Sequence, residues 1–401
     1  MNQLIGITRN TLLQTVRQPI YGIIVLVTLG GLALAPAVTG WTLDDDNKLL
    51  RDIGLSTLLI QGLFLAVFAA SSVLDTEIED KTVLTVAAKP VSRPIFVLGK
   101  FFGLLGALGI AHYLAGIAFY MAMRHGVLQS AAEEVDMTVM VFGPCMFLLV
   151  AVVATVLNYL FDWRFLPTLL GLAMPMLTLS TAILLVIDRD WKITPYESSQ
   201  PIERLPKECQ DPAVFRGIVF FRPDEAQQHL EGHKGELVRN NWKGPMSIEE
   251  QDYIRGLHDA PKWRQDVDFL VDKTRKHQGT EIFKAGVLLF FAIALLGSFA
   301  LAASTRLGAM GTFLVCLVLL CAGLTSDQLL KPMADSPDGS WLIQAAYRAI
   351  PNFQVFWMVD ALSELRVIPW TYVWSAAGYG VLYALAALLL AMSLFETREV
   401  G

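Results

Sequence analysis

Hydrophobic residues along the 401-residue chain come in long blocks separated by short polar stretches. Eight blocks are nearly free of charge and close to the roughly 20 residues that an α-helix needs to cross a bilayer. They cover residues 19–40, 54–74, 99–122, 137–161, 165–187, 282–304, 307–330 and 371–395. The two-residue alternation of a membrane barrel is absent, and a lipid-exposed backbone must satisfy its own hydrogen bonds. The pattern predicts an all-α polytopic membrane protein with about eight transmembrane helices.

The segment before the first block is amphipathic when it is read as a helix. Met1, Ile5, Leu12 and Val16 share one face, which Arg9 interrupts. This pattern favours an interfacial helix at residues 1–18 that leads into the first span, and a merely polar tail is the alternative. The first span also resembles a cleavable signal peptide, but the long helical lead favours an uncleaved span.

The largest polar segment is an insertion at residues 188–280, between the fifth and sixth blocks. Its acids and bases nearly balance, and its aromatic content is typical of a small packed domain rather than a disordered linker. Residues 218–221 predict a strand, and residues 247–257 and 262–276 predict helices, the first with Ser247 and Glu250 as a capping box. We therefore expect a small α+β domain outside the membrane.

A second aromatic stretch at residues 341–362 is broken by Arg348 and Pro351. We expect a helix that lies on the outer surface or re-enters the membrane part of the way, and a ninth span is the alternative. The predicted organisation is an interfacial helix at 1–18, a first membrane block at 19–187 with a loop at 75–98, the insertion at 188–280, a second membrane block at 281–395 and a tail at 396–401.

A charged island, LDTEIEDKTVLTVAAKPVSRPIFVLGK, occupies residues 74–100 between the second and third blocks. Its first half mixes acids with apolar residues, which predicts a short surface helix. Lys89-Pro90 should end that helix, because proline lacks an N–H group and restricts the residue before it. Ser92 and Pro94 then indicate the start of a new helix, as its N-cap and first turn.

The island resembles the cytoplasmic loop of ABC type-2 exporter permeases, in which an acid-rich segment leads into a xKPVSRxxFVLGK sequence. The matching residues are Glu77, Glu79, Lys89-Pro90-Val91-Ser92-Arg93, Phe96 and Leu98-Gly99-Lys100. Many members carry Gly-Thr where this chain has Lys81-Thr82. The closing segment of the family is matched by Ile350-Pro351-Asn352-Phe353, Asp360-Ala361-Leu362 and Ile368-Pro369-Trp370. The resemblance covers both membrane blocks and leaves the insertion unmatched.

The resemblance implies the transmembrane permease subunit of an ATP-driven exporter. Its loop would be the coupling helix that docks on a cytoplasmic ABC ATPase subunit, and a second permease chain would complete a homo- or heterodimer. ATP and magnesium would bind in the ATPase, so this chain would need no cofactor. The expected coupling residues are Glu77, Glu79, Asp80, Lys89 and Arg93, with the three acids at a helix start. A membrane-anchored receptor or assembly factor that acts through the insertion is the alternative.

Lysine and arginine give only a weak positive-inside signal, with a small excess in the segments on the island's side of the membrane. The resemblance therefore decides the expected orientation. The chain would lie in the cell (inner or plasma) membrane, with both termini in the cytoplasm and the insertion on the opposite side.

Composition and motifs exclude several classes of function. A net charge of −6 gives no nucleic-acid signature, and no CxxC pair indicates a zinc site. No GxxxxGK[ST], GxSxG or HExxH sequence occurs, so we expect no catalytic residues and no enzyme activity. His229 and His233 have a metal-binding spacing, but Gly232 and Gly235 argue against a helix there, and we expect no metal site.

Few polar residues lie deep in the spans, which also disfavours a transporter driven by an ion gradient. Gln61 and His112 are the deepest. His112 could be a relay or a ligand, but a packed histidine bonded to a neighbouring helix is the favoured interpretation. Gly99, Gly103 and Ala107 form a small-residue face for helix packing, either within the chain or against another subunit.

Overall fold

The computed structural model describes residues 2–39, 46–79, 92–126, 135–187, 191, 193, 263–335, 341–363 and 368–396. The helices in these ranges are α1 (Asn2–Val16), α2 (Pro19–Thr39), α3 (Asp46–Glu79), α4 (Arg93–His125), α5 (Met137–Phe161), α6 (Phe165–Val186), α7 (Trp263–Ser304), α8 (Ala309–Leu324), α9 (Ser326–Ala334), α10 (Trp341–Ala349), α11 (Val359–Ser363) and α12 (Trp370–Glu396). A 3₁₀ turn, Phe353–Phe356, lies between α10 and α11.

Seven of the described helices are long and apolar enough to cross a membrane, namely α2 to α7 and α12. The seventh predicted span, at 307–330, is a bent pair in which α8 and α9 meet at an angle of 59°. The chain is therefore an all-α, multi-pass membrane protein, as the hydrophobic blocks predict. The predicted strand at 218–221, the predicted helix at 247–257 and the pair His229 and His233 lie outside the described residues.

The chain divides into two compact units. The first comprises Met1–Lys192, Phe283–Asp360 and Ile368–Gly401, and the second comprises Ile193–Ile282 and Ala361–Val367. In the first unit the most buried spans are α3 and α7, each with 67% of its most apolar window buried, followed by α4 with 56%. The corresponding share is 22% in α5 and in α12. The centre of this unit is thus built on α3, α4 and α7, while α5 and α12 leave wide apolar faces exposed.

The helix boundaries differ from the sequence prediction at the island. Residues 75–79 continue α3 instead of beginning a separate surface helix, and α3 is described as far as Glu79. The change from apolar to charged residues at Leu74 marks the predicted edge of the hydrocarbon, and nothing in residues 75–79 breaks a helix. On the far side of the island the prediction is confirmed: Ser92 occupies the N-cap position with an extended backbone, and Pro94 lies in the first turn of α4.

A proline lies at an interruption of the α-helical structure in two further regions, in α5 and after α10. A π-helical turn, Val141–Cys145, interrupts α5 and contains Pro144. Proline removes a hydrogen-bond donor from the helix, which accounts for the shifted hydrogen-bond ladder. At 341–362 the chain forms α10, the 3₁₀ turn and the beginning of α11, and Pro351 follows α10. The longest of these pieces, α10, has nine residues and cannot cross a bilayer alone.

Candidate functional site

The island joins two helices that pack against each other. The described part of α3 runs to Glu79, α4 begins at Arg93, and the two helices are in contact. Among the expected coupling residues, Glu77 and Glu79 belong to the last described turn of α3, and Arg93 is the first residue of α4. Asp80 and Lys89 lie outside the described residues. We call the end of the first unit where α3 ends and α4 begins the island end.

The placement of the acids differs from the sequence prediction. Glu77 and Glu79 were expected at a helix start, but both lie in α3, a helix that begins at Asp46. Arg93 is the first residue of α4, where the helix dipole disfavours positive charge.

The first turns of α4 are anchored in a hydrophobic cluster at the island end. Phe96 and Phe101 are buried there, and the ring centroids of Phe96 and Phe395 are 5.5 Å apart. The members of this island cluster are Phe96, Val97 and Phe101 of α4, Leu301 and Ala302 of α7, and Leu388 and Ala391 of α12. Because α4, α7 and α12 share one packed core, the start of α4 cannot shift without displacing the other two helices.

A buried lysine stands next to this cluster. Lys100 is 2% exposed, and its Nζ lies 5.4 Å from the centroid of the Phe96 ring. An ammonium group at this distance from an aromatic face is attracted by the ring quadrupole. The contact ties the first two turns of α4 together at the island end.

The small-residue face of α4 is occupied by α1. A Cβ atom on Gly99 would lie 2.7 Å from Ile7 Cγ2, and one on Gly103 would lie 2.5 Å from Thr11 Cβ. α1 therefore rests directly on the backbone of α4, at a distance that only glycine permits. Ala107, the third member of the face, is buried, and its carbonyl accepts a 2.7 Å hydrogen bond from the Tyr21 hydroxyl of α2. This face packs within the chain.

The deepest polar residues bind neighbouring helices. His112 Nε2 lies 2.8 Å from the carbonyl oxygen of Gly286 on α7. The interpretation of His112 as a histidine bonded to a neighbouring helix is thus confirmed. Gln61 of α3 donates through Nε2 to the carbonyl of Ala111, at 3.4 Å. These bonds join α4 to the two other central helices.

A polar cluster near the bend between α8 and α9 was not predicted. Asp327 accepts hydrogen bonds from the Tyr347 hydroxyl at 3.1 Å and from Asn352 Nδ2 at 2.7 Å. The backbone N–H of Asn352 donates to the Tyr379 hydroxyl at 2.7 Å. Partial burial and the Asp327 carboxylate raise the pKa of the Tyr347 hydroxyl, which keeps it protonated and donating. We call Asp327, Tyr347, Asn352 and Tyr379 the bend cluster.

The segment that follows α10 is clamped by this cluster and by tight packing. Phe353 and Phe356 are buried, and a Cβ atom on Gly323 of α8 would lie 2.4 Å from the carbonyl oxygen of Pro351. The Tyr372 hydroxyl of α12 donates to the carbonyl of Val355. Residues 351–356, which include Pro351 and Phe353 of the closing-segment resemblance, are therefore held between α8 and α12.

A second unpredicted polar site connects α4 to α5. Asp136 caps α5 by accepting from the backbone N–H groups of Thr138 and Val139, at 3.1 and 3.2 Å. Arg124, in the last turn of α4, places Nε 3.8 Å from Asp136 Oδ2. An acid two residues before a threonine at the start of an apolar run is an N-cap signal that sequence reasoning overlooked.

No family model matches the chain, and no curated protein or solved structure matches it. Within the described ranges, no group of three or more His, Cys, Asp or Glu residues is arranged to hold a metal ion. The fold thus defines a class, a multi-pass α-helical membrane protein, and the assignment of function depends on the island and the helices that it joins.

Proposed function

We propose that the chain is the transmembrane permease subunit of an ATP-driven ABC exporter. The observation that carries the proposal is the island, residues 74–100, whose sequence resembles the coupling loop of ABC type-2 permeases. The position of the island between two packed spans supports it, because a force applied there acts on both α3 and α4. The chain would lie in the cell membrane with both termini in the cytoplasm.

In the proposed mechanism a cytoplasmic ATPase moves the island when it binds ATP. The start of α4 follows, and the island cluster transfers the movement to α7 and α12. α1 moves with α4, because Gly99 and Gly103 leave no space between the two helices. A rigid-body shift of such a group of helices against the remaining spans is a recognised way to open a pathway on one side of a membrane and close it on the other.

The charges at the island favour a partner. Glu77 and Glu79 place two acidic groups at the beginning of the island, and basic groups on the ATPase would form interface charge pairs with them. Hydrolysis and the ATP and magnesium sites belong to the partner, since no phosphate-binding loop occurs in this sequence. A second permease chain completes the transporter in this proposal.

Co-purification of the full chain from its native membranes tests the assignment. The expected result is recovery of a soluble ATPase with a Walker-type phosphate loop on the island side. Recovery of a solely extracytoplasmic partner would instead support the receptor or assembly factor.

A charge reversal sharpens this test. In E77K/E79K we expect recovery of the ATPase to fall more than tenfold, because a disrupted interface charge pair costs about 2–5 kcal/mol. The melting temperature should stay constant, because both substitutions lie outside the hydrophobic block of the second span, which ends at residue 74. A lower recovery of the ATPase at an unchanged melting temperature would show that the variant has lost docking and is not misfolded.

The matched control is E133K/E134K, which reverses two adjacent acids in the segment between α4 and α5. That segment connects the opposite end of α4, so ATPase recovery should be unchanged. Normal recovery of the ATPase by E77K/E79K would contradict the docking role of these acids. An equal loss of recovery in both variants would mean that the change in net charge, and not a specific contact, lowers recovery.

A further inference from the structure

The seam where α3, α4 and α7 meet contains two hydrogen-bond acceptors that the fold leaves without donors. The helices approach closely there: a Cβ atom on Gly62 of α3 would lie 2.3 Å from Ile293 Cγ1 of α7. On α4, the His112 ring lies 5.7 Å from the ring of Phe290 of α7. We call this region, around Gln61 and His112, the central seam.

The first acceptor is His112 Nδ1. The carbonyl oxygen of Gly286 can only accept a hydrogen bond, so His112 Nε2 must carry the proton of the 2.8 Å contact. In a neutral imidazole the other nitrogen, Nδ1, is then an acceptor with a free lone pair. A doubly protonated ring in this part of the span would place an ion among apolar helices, which is strongly disfavoured. Nδ1 is buried and has no hydrogen-bond partner among the described residues.

The second acceptor is Gln61 Oε1. Gln61 is 3% exposed, and its Nε2 donates to the carbonyl of Ala111. That carbonyl fixes the orientation of the amide, because the opposite orientation would place two acceptor oxygens face to face. Oε1 is therefore the free end of the side chain, and within the described residues it too has no donor.

The two acceptors belong to neighbouring groups. Gln61 is bonded to the carbonyl of the peptide that joins Ala111 to His112, so its carboxamide lies directly beside the backbone of the histidine. A buried acceptor that lacks a donor carries the full penalty of lost hydration, and in native proteins such groups are satisfied by bound water or a ligand. Two neighbouring polar contacts of α4 are satisfied within the chain: Tyr21 donates to the carbonyl of Ala107, and the Tyr113 hydroxyl is hydrogen-bonded to Thr178.

We propose that the central seam binds a small hydrogen-bond donor that bridges His112 Nδ1 and Gln61 Oε1. The ligand has at least two donor hydrogens, little bulk and no net charge, which describes a water molecule. The site is a property of the central helices alone and does not depend on the exporter assignment. The central seam would then be a polar site that holds a small donor inside the membrane part of the protein.

The test uses the full chain, labelled with ¹⁵N-histidine and reconstituted in lipid nanodiscs, and studied by solid-state NMR. The chain has 6 histidines, and His112→Asn identifies the His112 signals by their loss. Two quantities are measured for Nδ1: its ¹⁵N shift, which moves upfield when an unprotonated nitrogen accepts a hydrogen bond, and transfer of magnetisation from water protons. The measurement is repeated with methylammonium chloride as the ammonium probe.

A hydrogen-bonded shift with transfer from water supports the proposal and identifies water as the donor. A hydrogen-bonded shift that develops only on titration with methylammonium overturns the proposal that a neutral donor occupies the site. A free-imine shift under both conditions, or a protonated Nδ1, overturns the proposal without any variant.

Gln61→Met then tests the shared site, because methionine keeps the length of the side chain and removes its acceptor. We expect the Nδ1 shift of His112 to move toward the free-imine value in this variant. Thr178→Val, which removes the partner of Tyr113 on α6, is the control and should leave the Nδ1 signal unchanged. A normal Nδ1 signal in Gln61→Met would overturn the bridging geometry.

Discussion

The contact between α1 and α4 permits a sharp comparison of two glycines on one helix. A Cβ atom on Gly103 would lie 2.5 Å from Thr11 Cβ and 2.7 Å from the carbonyl oxygen of Thr8, whereas one on Gly116 would meet no atom within 4 Å. Both residues belong to α4, so Gly103→Ala and Gly116→Ala remove the same backbone freedom from the same helix. Their difference in stability therefore reports the steric contact with α1.

The size of the effect follows from the geometry. Nonbonded Cβ contacts below 3.0 Å essentially do not occur, and one of the atoms in the way at Gly103 is backbone, which cannot rotate aside. α1 must move off α4 by several tenths of an ångström, and overpacking of this kind costs about 1–3 kcal/mol. Replacing glycine by alanine in a helix returns up to about 1 kcal/mol at either position. We expect Gly116→Ala to be neutral or slightly stabilising, and Gly103→Ala to be about 1–3 kcal/mol less stable than Gly116→Ala.

The assay is reversible unfolding of the purified full chain in mixed micelles by increasing the mole fraction of sodium dodecyl sulfate, followed by circular dichroism and tryptophan fluorescence. Gly103→Ser extends the series, because it adds a larger side chain at the same contact. Equal unfolding free energies for the alanine variants at 103 and 116 would refute the close approach of α1, and with it the transfer of movement from α4 to α1.

Three further predictions address topology, the bend cluster and the energy source. A cysteine at Thr82 should react with a membrane-impermeant maleimide only after permeabilisation, and one at Asn240 should react in intact cells; the opposite result would reverse the proposed orientation. Asn352→Leu removes one donor to Asp327 and should cost about 1–3 kcal/mol in the same unfolding assay, whereas Tyr347→Phe leaves the shorter amide bond intact and should cost less. The chain purified alone should show no ATPase activity above background, and robust hydrolysis would contradict its role as a permease subunit.

The hydrophobic blocks predicted the spans because lipid imposes one physical requirement on every residue of a span. They located the helix ends less well. The second block ends at residue 74, but α3 continues to Glu79, since hydropathy detects the edge of the hydrocarbon and the backbone has no reason to stop there. The start of α4 was predicted more accurately: Ser92 lies at the N-cap position, although its side chain makes no capping hydrogen bond, and Pro94 lies in the first turn.

Contacts between distant residues could not be read from the sequence. Asp327 and Asn352 are 25 positions apart, and neither has a spacing that indicates the other. The small-residue face of α4 was visible, but its partner was not, because Gly99 and Gly103 specify a close approach without specifying which helix approaches. Only the structure assigns that face to α1.

The two attachments between α4 and α7 determine which helices can move together. Phe96 contributes to the island cluster with Leu301, and His112 is bonded to Gly286. Along α4 the two attachment points are about 24 Å apart, and along α7 about 22 Å apart, at a rise of 1.5 Å per residue. The two helices are antiparallel and are held together at both of these points. Neither helix can slide or tilt relative to the other without breaking the buried hydrogen bond or disrupting the packed cluster. In the proposed transport cycle, therefore, α4 and α7 move as one body, and the relative motion takes place against spans such as α5 and α6, which share less buried surface with the centre of the unit.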